Sequence, residues 1–145
     1  MNRRFFGLFW ISISAILLSC TEDDCFTPPE NIVFEFVDSS GNNLIQNGVL
    51  DSSKIRVQQN EGNGTIIPIN VMIREDHKVS IEGIGWSEGT KNYIVYLLKD
   101  PVKIFDYSVT SSKITRDCSG YKIEDLQIEN INYVKEMGYY RITIE

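Results

Sequence analysis

Residues 31–37 read NIVFEFV, and this alternation decides the fold. Side chains on a strand project to opposite faces with a period of two. Ile32, Phe34 and Phe36 therefore share one face and Val33, Glu35 and Val37 the other, as expected of a strand with one strongly buried side. Asp38-Ser-Ser-Gly-Asn42 follows with turn chemistry, because Asp hydrogen-bonds its own backbone and Gly or Asn accepts positive φ.

Similar units recur along the chain at a spacing of about ten residues. Leu44, Ile45, Val49 and Leu50 flank a tight turn at Asn47-Gly48, and Lys54 to Gln58 is a short strand through Ile55 and Val57. Glu61-Gly-Asn-Gly64 closes a hairpin onto a strand over 65–73, where Ile67, Ile69, Val71 and Ile73 share a face. Pro68 lacks an amide donor, so that strand lies at a sheet edge or bulges there. Arg74 to His77 forms a polar turn before Val79 and Ile81. Tyr93 to Leu98 and Val102 to Val109 pair around Lys99-Asp-Pro101, with Val102 and Ile104 on one face and Phe105, Tyr107 and Val109 on the other.

The segment 122–137 fits two periods. Ile123, Leu126, Asn130, Tyr133 and Met137 have helical spacing, while 122–130 also alternates as a strand. Its β-branched residues and incomplete apolar stripe favour the strand. Tyr139 to Ile144 ends the chain as a strand with Tyr140, Ile142 and Ile144 inward. The expectation is an all-β, antiparallel β-sandwich of about seven to nine strands over 31–145, with no long helix of the kind a βαβ unit requires.

Ahead of this body lies a charge step and an apolar plug. Asn2, Arg3 and Arg4 precede an apolar run from Phe5 to Leu18, which is too short for the roughly 20 residues a bilayer span requires and reads as a cleaved signal peptide over 1–19. Leu17-Leu-Ser-Cys20 resembles the lipobox of bacterial lipoproteins. The resemblance implies a diacylglycerol on the Cys20 thiol, cleavage before it, and acylation of the new amino terminus. Two or three acyl chains hold a protein on a membrane almost permanently, where one is marginal. Thr21 is followed by Glu22, Asp23 and Asp24, an acidic run that resembles the export signal of surface lipoproteins of the Bacteroidota and implies display at the outer membrane, otherwise at its periplasmic face. Residues 20–30, with Pro28 and Pro29, form the tether.

Lipidation removes one of the three cysteines and leaves a pair, so a Cys25–Cys118 disulfide is expected in the oxidising envelope. As two free thiols the pair would lack CxxC spacing and partner ligands for metal or redox work. Without Arg3 and Arg4 the 14 basic residues become 12 against 20 acids, a net charge of −8. No run of three basic residues occurs, so the chain has no footprint for nucleic acid or anionic lipid.

PPENIVFEFVDSSGNNL at 28–44, DYSVTSSKITRDCSGYKIEDLQI at 106–128 and ITIE at 142–145 resemble small immunoglobulin-like or prealbumin-like lipoproteins of the Bacteroidota. That resemblance supports the sandwich and the location and implies no ligand or cofactor.

Candidate site residues are few. His77 is the single histidine, set among charges in a turn, and no GxSxG-like nucleophile setting accompanies it. Asp38, Ser39, Ser40 and Asn42 offer oxygens but not the acid at the twelfth position of a calcium loop, and turn chemistry accounts for them. Trp86 lies in Gly83-Ile-Gly-Trp-Ser-Glu-Gly89. A ring of that size is expected to close the sandwich end as a core plug; standing clear of the loop, it would instead stack on a sugar or anchor a peptide, helped by Tyr121, Tyr139 and Tyr140. No catalytic or metal set emerges. The expected function is a non-catalytic, lipid-anchored envelope module, with glycan or peptide capture at Trp86 as the rival and a small hydrolase as a lesser one, since a carboxylate pair need not be close in sequence.

Overall fold

The computed structural model describes residues 25–97, 102–115 and 118–145. Eleven strands occur among them: β1 (Phe26–Thr27), β2 (Ile32–Val37), β3 (Ile55–Asn60), β4 (Ile66–Ile69), β5 (Val71–Ile73), β6 (Val79–Ile81), β7 (Gly89–Leu97), β8 (Val102–Ile114), β9 (Ser119–Glu129), β10 (Tyr133–Glu136) and β11 (Tyr139–Thr143). A six-stranded sheet has the order β1-β9-β8-β7-β3-β4, and a five-stranded one the order β10-β11-β2-β6-β5. The signal peptide at 1–19, Cys20, Glu22, Asp23 and Asp24, and the Lys99-Asp-Pro101 turn lie outside the described residues.

The all-β expectation holds, with two corrections. Eleven strands replace seven to nine, partly because the run over 65–73 is broken at Asn70, so that β4 ends one sheet and β5 the other. The tether and the tail add the short strands β1 and β10. Neither sheet is wholly antiparallel: β1 lies parallel to β9, and β11 parallel to β2. Pro68 sits on β4, an edge strand, where its missing donor costs no ladder bond to a further neighbour.

One apolar cluster joins the two sheets. Phe34 and Phe36 from β2, Val79 and Ile81 from β6 and Ile142 from β11 meet Val57, Tyr93, Val95, Leu97, Phe105, Tyr107 and Val109 of the other sheet. Burying each such side chain contributes about 1.5–3 kcal/mol. Phe34 is central, meeting Phe105 and Tyr107 edge-on at 5.6 and 5.4 Å between ring centroids. Tyr93 stacks on Tyr107 at 5.0 Å. Burial forces the Tyr93 hydroxyl up to about 12 and that of Tyr107 well above its usual range. The second face of β2 is not solvated as its alternation suggests. Val33 and Val37 are only 5 % and 3 % exposed, because β2 runs between β11 and β6, and Val37 is also bonded by Ile144 N–H and bridged to Asn43.

Turn chemistry acts largely as read. The Asp38 carboxylate accepts from the Ser40 and Asn42 amides, both at 2.9 Å, and from Asn42 Nδ2. The hairpin β3–β4 closes through Glu61 N–H to Thr65 C=O, and β7 pairs with β8. Asn47-Gly48 does turn, with Gly48 at φ 77°, but its flanks form successive turns rather than a ladder. Segment 122–130 is strand, within β9.

Candidate functional site

The first feature among the described residues is the seam between tether and body. Cys25 and Cys118 are joined with Cα atoms 4.9 Å apart across 93 positions of sequence. The next two residues then enter the sheet, Phe26 opposite Ser119 and Thr27 opposite Gly120. Gly120 is required by close approach, since a Cβ there would collide with the Thr27 carbonyl oxygen. Pro29 is buried, and beyond it Ile32 begins β2 in the opposite sheet.

The Trp86 loop packs on this seam. Ile84 is 3 % exposed and plugs the sandwich end. Gly85 then turns the chain with φ 86°, so near Pro29 and Ile123 that a Cβ would lie 3.0 Å from each. The turn delivers Trp86 outward, 48 % exposed, which corrects the core-plug expectation: Ile84 takes the inward position. Trp86 stacks on Phe26, also 48 % exposed, with centroids 5.5 Å apart and planes inclined by 15°. Phe26 reads from sequence as mere tether, and its place directly after Cys25 is the one hint that it is pinned.

The expected aromatic helpers are spread over the molecule. Tyr121 is partly buried beside Thr27, Pro28 and Ile114 in a shallow cleft near the same seam. Tyr139 and Tyr140 belong to the five-stranded sheet. Tyr140 packs against Phe34 and Tyr133, at 6.1 and 6.2 Å. Tyr139 lies on the outer surface with Lys78 Nζ 4.6 Å over its ring, and it accepts a hydrogen bond from Arg141 Nη2 at 3.1 Å. Arg141 Nε donates to Glu35 Oε2 at 2.8 Å, and Nη1 lies 3.4 Å from Glu136. The Glu35 hydrogen bond and charge hold the guanidinium pKa above its usual value. Paired carboxylates neutralise Arg141, and Asp76 pairs with Lys78, so the cluster ties strands together rather than offering a free cation.

His77 lies in an exposed turn with φ 58°, its carbonyl accepting from Asn43 Nδ2 at 3.1 Å. The pKa of Asp38 is held below the usual carboxylate range, chiefly by the Asn42 side chain and amide, and that of Glu124 by Ser112 and Lys122. Among the described residues no group of three or more His, Cys, Asp or Glu is placed to hold a metal ion, and no helix is long and apolar enough to cross a membrane. The arrangement offers an aromatic platform at the entry of the chain and a salt-bridged face on one sheet. No protein-family model, curated protein or solved structure matches the chain.

Proposed function

We propose that this chain is a non-catalytic, lipid-anchored lipoprotein of the bacterial cell envelope, of the Bacteroidota type, held by a diacylglycerol on Cys20. Its two-sheet body, of the immunoglobulin-like or prealbumin-like kind, serves as a binding or structural module outside the cytoplasm. The observation that carries this reading is the Cys25–Cys118 disulfide. Such bonds persist in oxidising compartments, and this one clamps the body five residues behind the lipobox cysteine. The side-chain chemistry agrees. The carboxyls of Asp38, Asp51, Asp76 and Glu124 are held low by turn amides, hydroxyls and neighbouring cations, as in turn and ion-pair groups.

Intact-mass measurement of the native protein tests the anchor. The expected chain begins at Cys20 and carries a thioether-linked diacylglycerol; an uncut leader or an unmodified thiol refutes it. Surface display is read from Glu22, Asp23 and Asp24. Replacing all three with Ala is expected to protect the protein from protease added to intact cells, and unchanged cleavage would refute their role as the export signal.

The half-exposed Trp86 favours a second reading, in which the loop captures a glycan or peptide. Tryptophan quenching on titration with envelope oligosaccharides separates the two.

A further inference from the structure

We infer that the stacked Phe26–Trp86 pair is a membrane-contact element, seated among lipid headgroups on the membrane that carries the Cys20 anchor. The inference rests on the anchor proposed above and adds how the body sits on the bilayer.

Position is the first argument. Phe26 follows Cys25 directly, and Cys20 lies five residues earlier. At about 3.3–3.6 Å per extended residue, that link reaches at most about 18 Å. Three features prevent further chain from being released: the Cys25–Cys118 bond, the pairing of Phe26 and Thr27 with β9, and Gly120 closing on Thr27. Strand register sets the same end of the body toward the anchor. Gly89 lies opposite Ser111, Ile114 opposite Gly120 and Phe26 opposite Ser119, which gathers the Trp86 loop, the end of β8, the start of β9 and β1 at one end.

Chemistry is the second argument. Both rings are 48 % exposed, so together they present adjoining apolar surface, and Trp86 adds an indole N–H donor. The amphipathic indole favours the headgroup region, where one side is apolar and the other wet, and the apolar Phe26 ring beside it adds hydrophobic surface. The platform is mounted rigidly, because Gly85 packs on Pro29 and Ile123 and so fixes Trp86 relative to the tether. Charge points to the lipid class. The acids of the link, Glu22, Asp23 and Asp24, and Glu30 and Glu88, close in sequence to the rings, repel anionic headgroups, so contact is made by apolar seating on zwitterionic lipid rather than by a basic patch.

The chain has two tryptophans, Trp10 and Trp86, and removal of the leader leaves Trp86 as the sole reporter. The mature lipidated protein is placed in phosphatidylcholine vesicles, with the unlipidated Cys20→Ser chain in buffer as reference. Expected are a blue-shifted emission, several-fold lower quenching by acrylamide, strong quenching by lipids brominated near the headgroup, and weaker shielding when phosphatidylglycerol is added. Phe26→Ala, which keeps the lipid and the disulfide, is expected to restore much of the acrylamide access. A protein with confirmed lipid at Cys20 whose Trp86 is as accessible as the reference overturns this inference alone. An unmodified Cys20 by mass overturns the anchor and this inference together. Shielding of Trp86 by oligosaccharide or peptide with no shielding in vesicles assigns the pair to capture instead.

Discussion

The chain enters the body through one parallel seam and leaves it through another, and the two are held by different physics. At the entry, β1 contributes two residues to the edge of β9, with Phe26 half exposed. At the exit, β11 pairs four residues with β2, and Ile142, paired with Phe36, is fully buried. A seam with almost no buried surface requires a covalent bond and a close-packing glycine to stay in register. A seam that contributes to the core is fixed by burial, with its charges on top.

The largest expected effect is at the entry. Replacing Cys25 and Cys118 with Ser removes a cross-link spanning 93 positions. The chain-entropy model gives about 4–5 kcal/mol as the upper value for such a loop. Denaturant unfolding of the mature chain should show most of that loss, and hydrogen exchange should show β1 amides open while those of β11 and β2 stay protected relative to global unfolding. Equal loss of protection at both seams would mean that they form one cooperative unit. At the exit, Ile142→Ala is expected to cost about 3 kcal/mol through lost burial and a cavity. That loss should lower the melting temperature of the whole body, because Ile142 belongs to the shared core.

Gly120→Ala sharpens the contrast at smaller amplitude. The added methyl meets the Thr27 carbonyl, so β1 must move while the core stays intact. A loss of about 1–2 kcal/mol is expected, with a change in Trp86 emission as Phe26 shifts beneath it. The same change at an exposed turn glycine, Gly62→Ala, should leave the emission unaltered, since a Cβ there meets nothing within 4 Å.

How much of this was legible follows from what alternation encodes. The periodicity of 31–37 and 139–144 identifies a core face, and Phe34 and Ile142 are buried as read; in 102–109 it separates two faces without saying which is inward, and Phe105 and Tyr107 lie on the buried one. Alternation says nothing of which strand lies alongside. The parallel seams, the division of 65–73 between two sheets and the burial of Val33 and Val37 all depend on neighbours far away in sequence. At the candidate site, the Cys25–Cys118 pair was legible by counting. The outward aim of Trp86 was not, because it depends on a positive φ at Gly85 and on Ile84 filling the end of the core. Phe26 gave no periodic signal, since a two-residue strand carries none.

Alkaline pH probes the core that lies between both seams. Tyr93 is raised to about 12 by burial, and Tyr107 is raised too, its hydroxyl buried without a hydrogen-bond partner among the described residues. The folded state thus retains protons that the unfolded chain releases near the usual value of about 10. Stability is intact below that value and falls as pH rises from there toward 12. Melting temperatures across this window should decline, and Tyr93→Phe should flatten the decline; an unchanged slope would locate the alkaline transition in other groups.

The smallest effect belongs to the charge on the exit seam. Arg141 and Glu35 are directly paired across β11 and β2 and lie 2.8 Å apart, with the Glu35 side chain 15 % exposed and that of Arg141 42 % exposed. Solvent around the guanidinium screens the pair, so Glu35→Gln is expected to cost only about 0.5–1 kcal/mol. Glu136, 3.4 Å from the other arm of Arg141, takes over part of the charge when Glu35 is gone. The double change Glu35→Gln with Glu136→Gln should therefore cost more than the sum of the two single changes, and high salt should shrink the difference. Strict additivity would show that the two carboxylates act on Arg141 independently, and only single changes that cost nothing would leave burial of Ile142 to hold the exit seam without help from its charges.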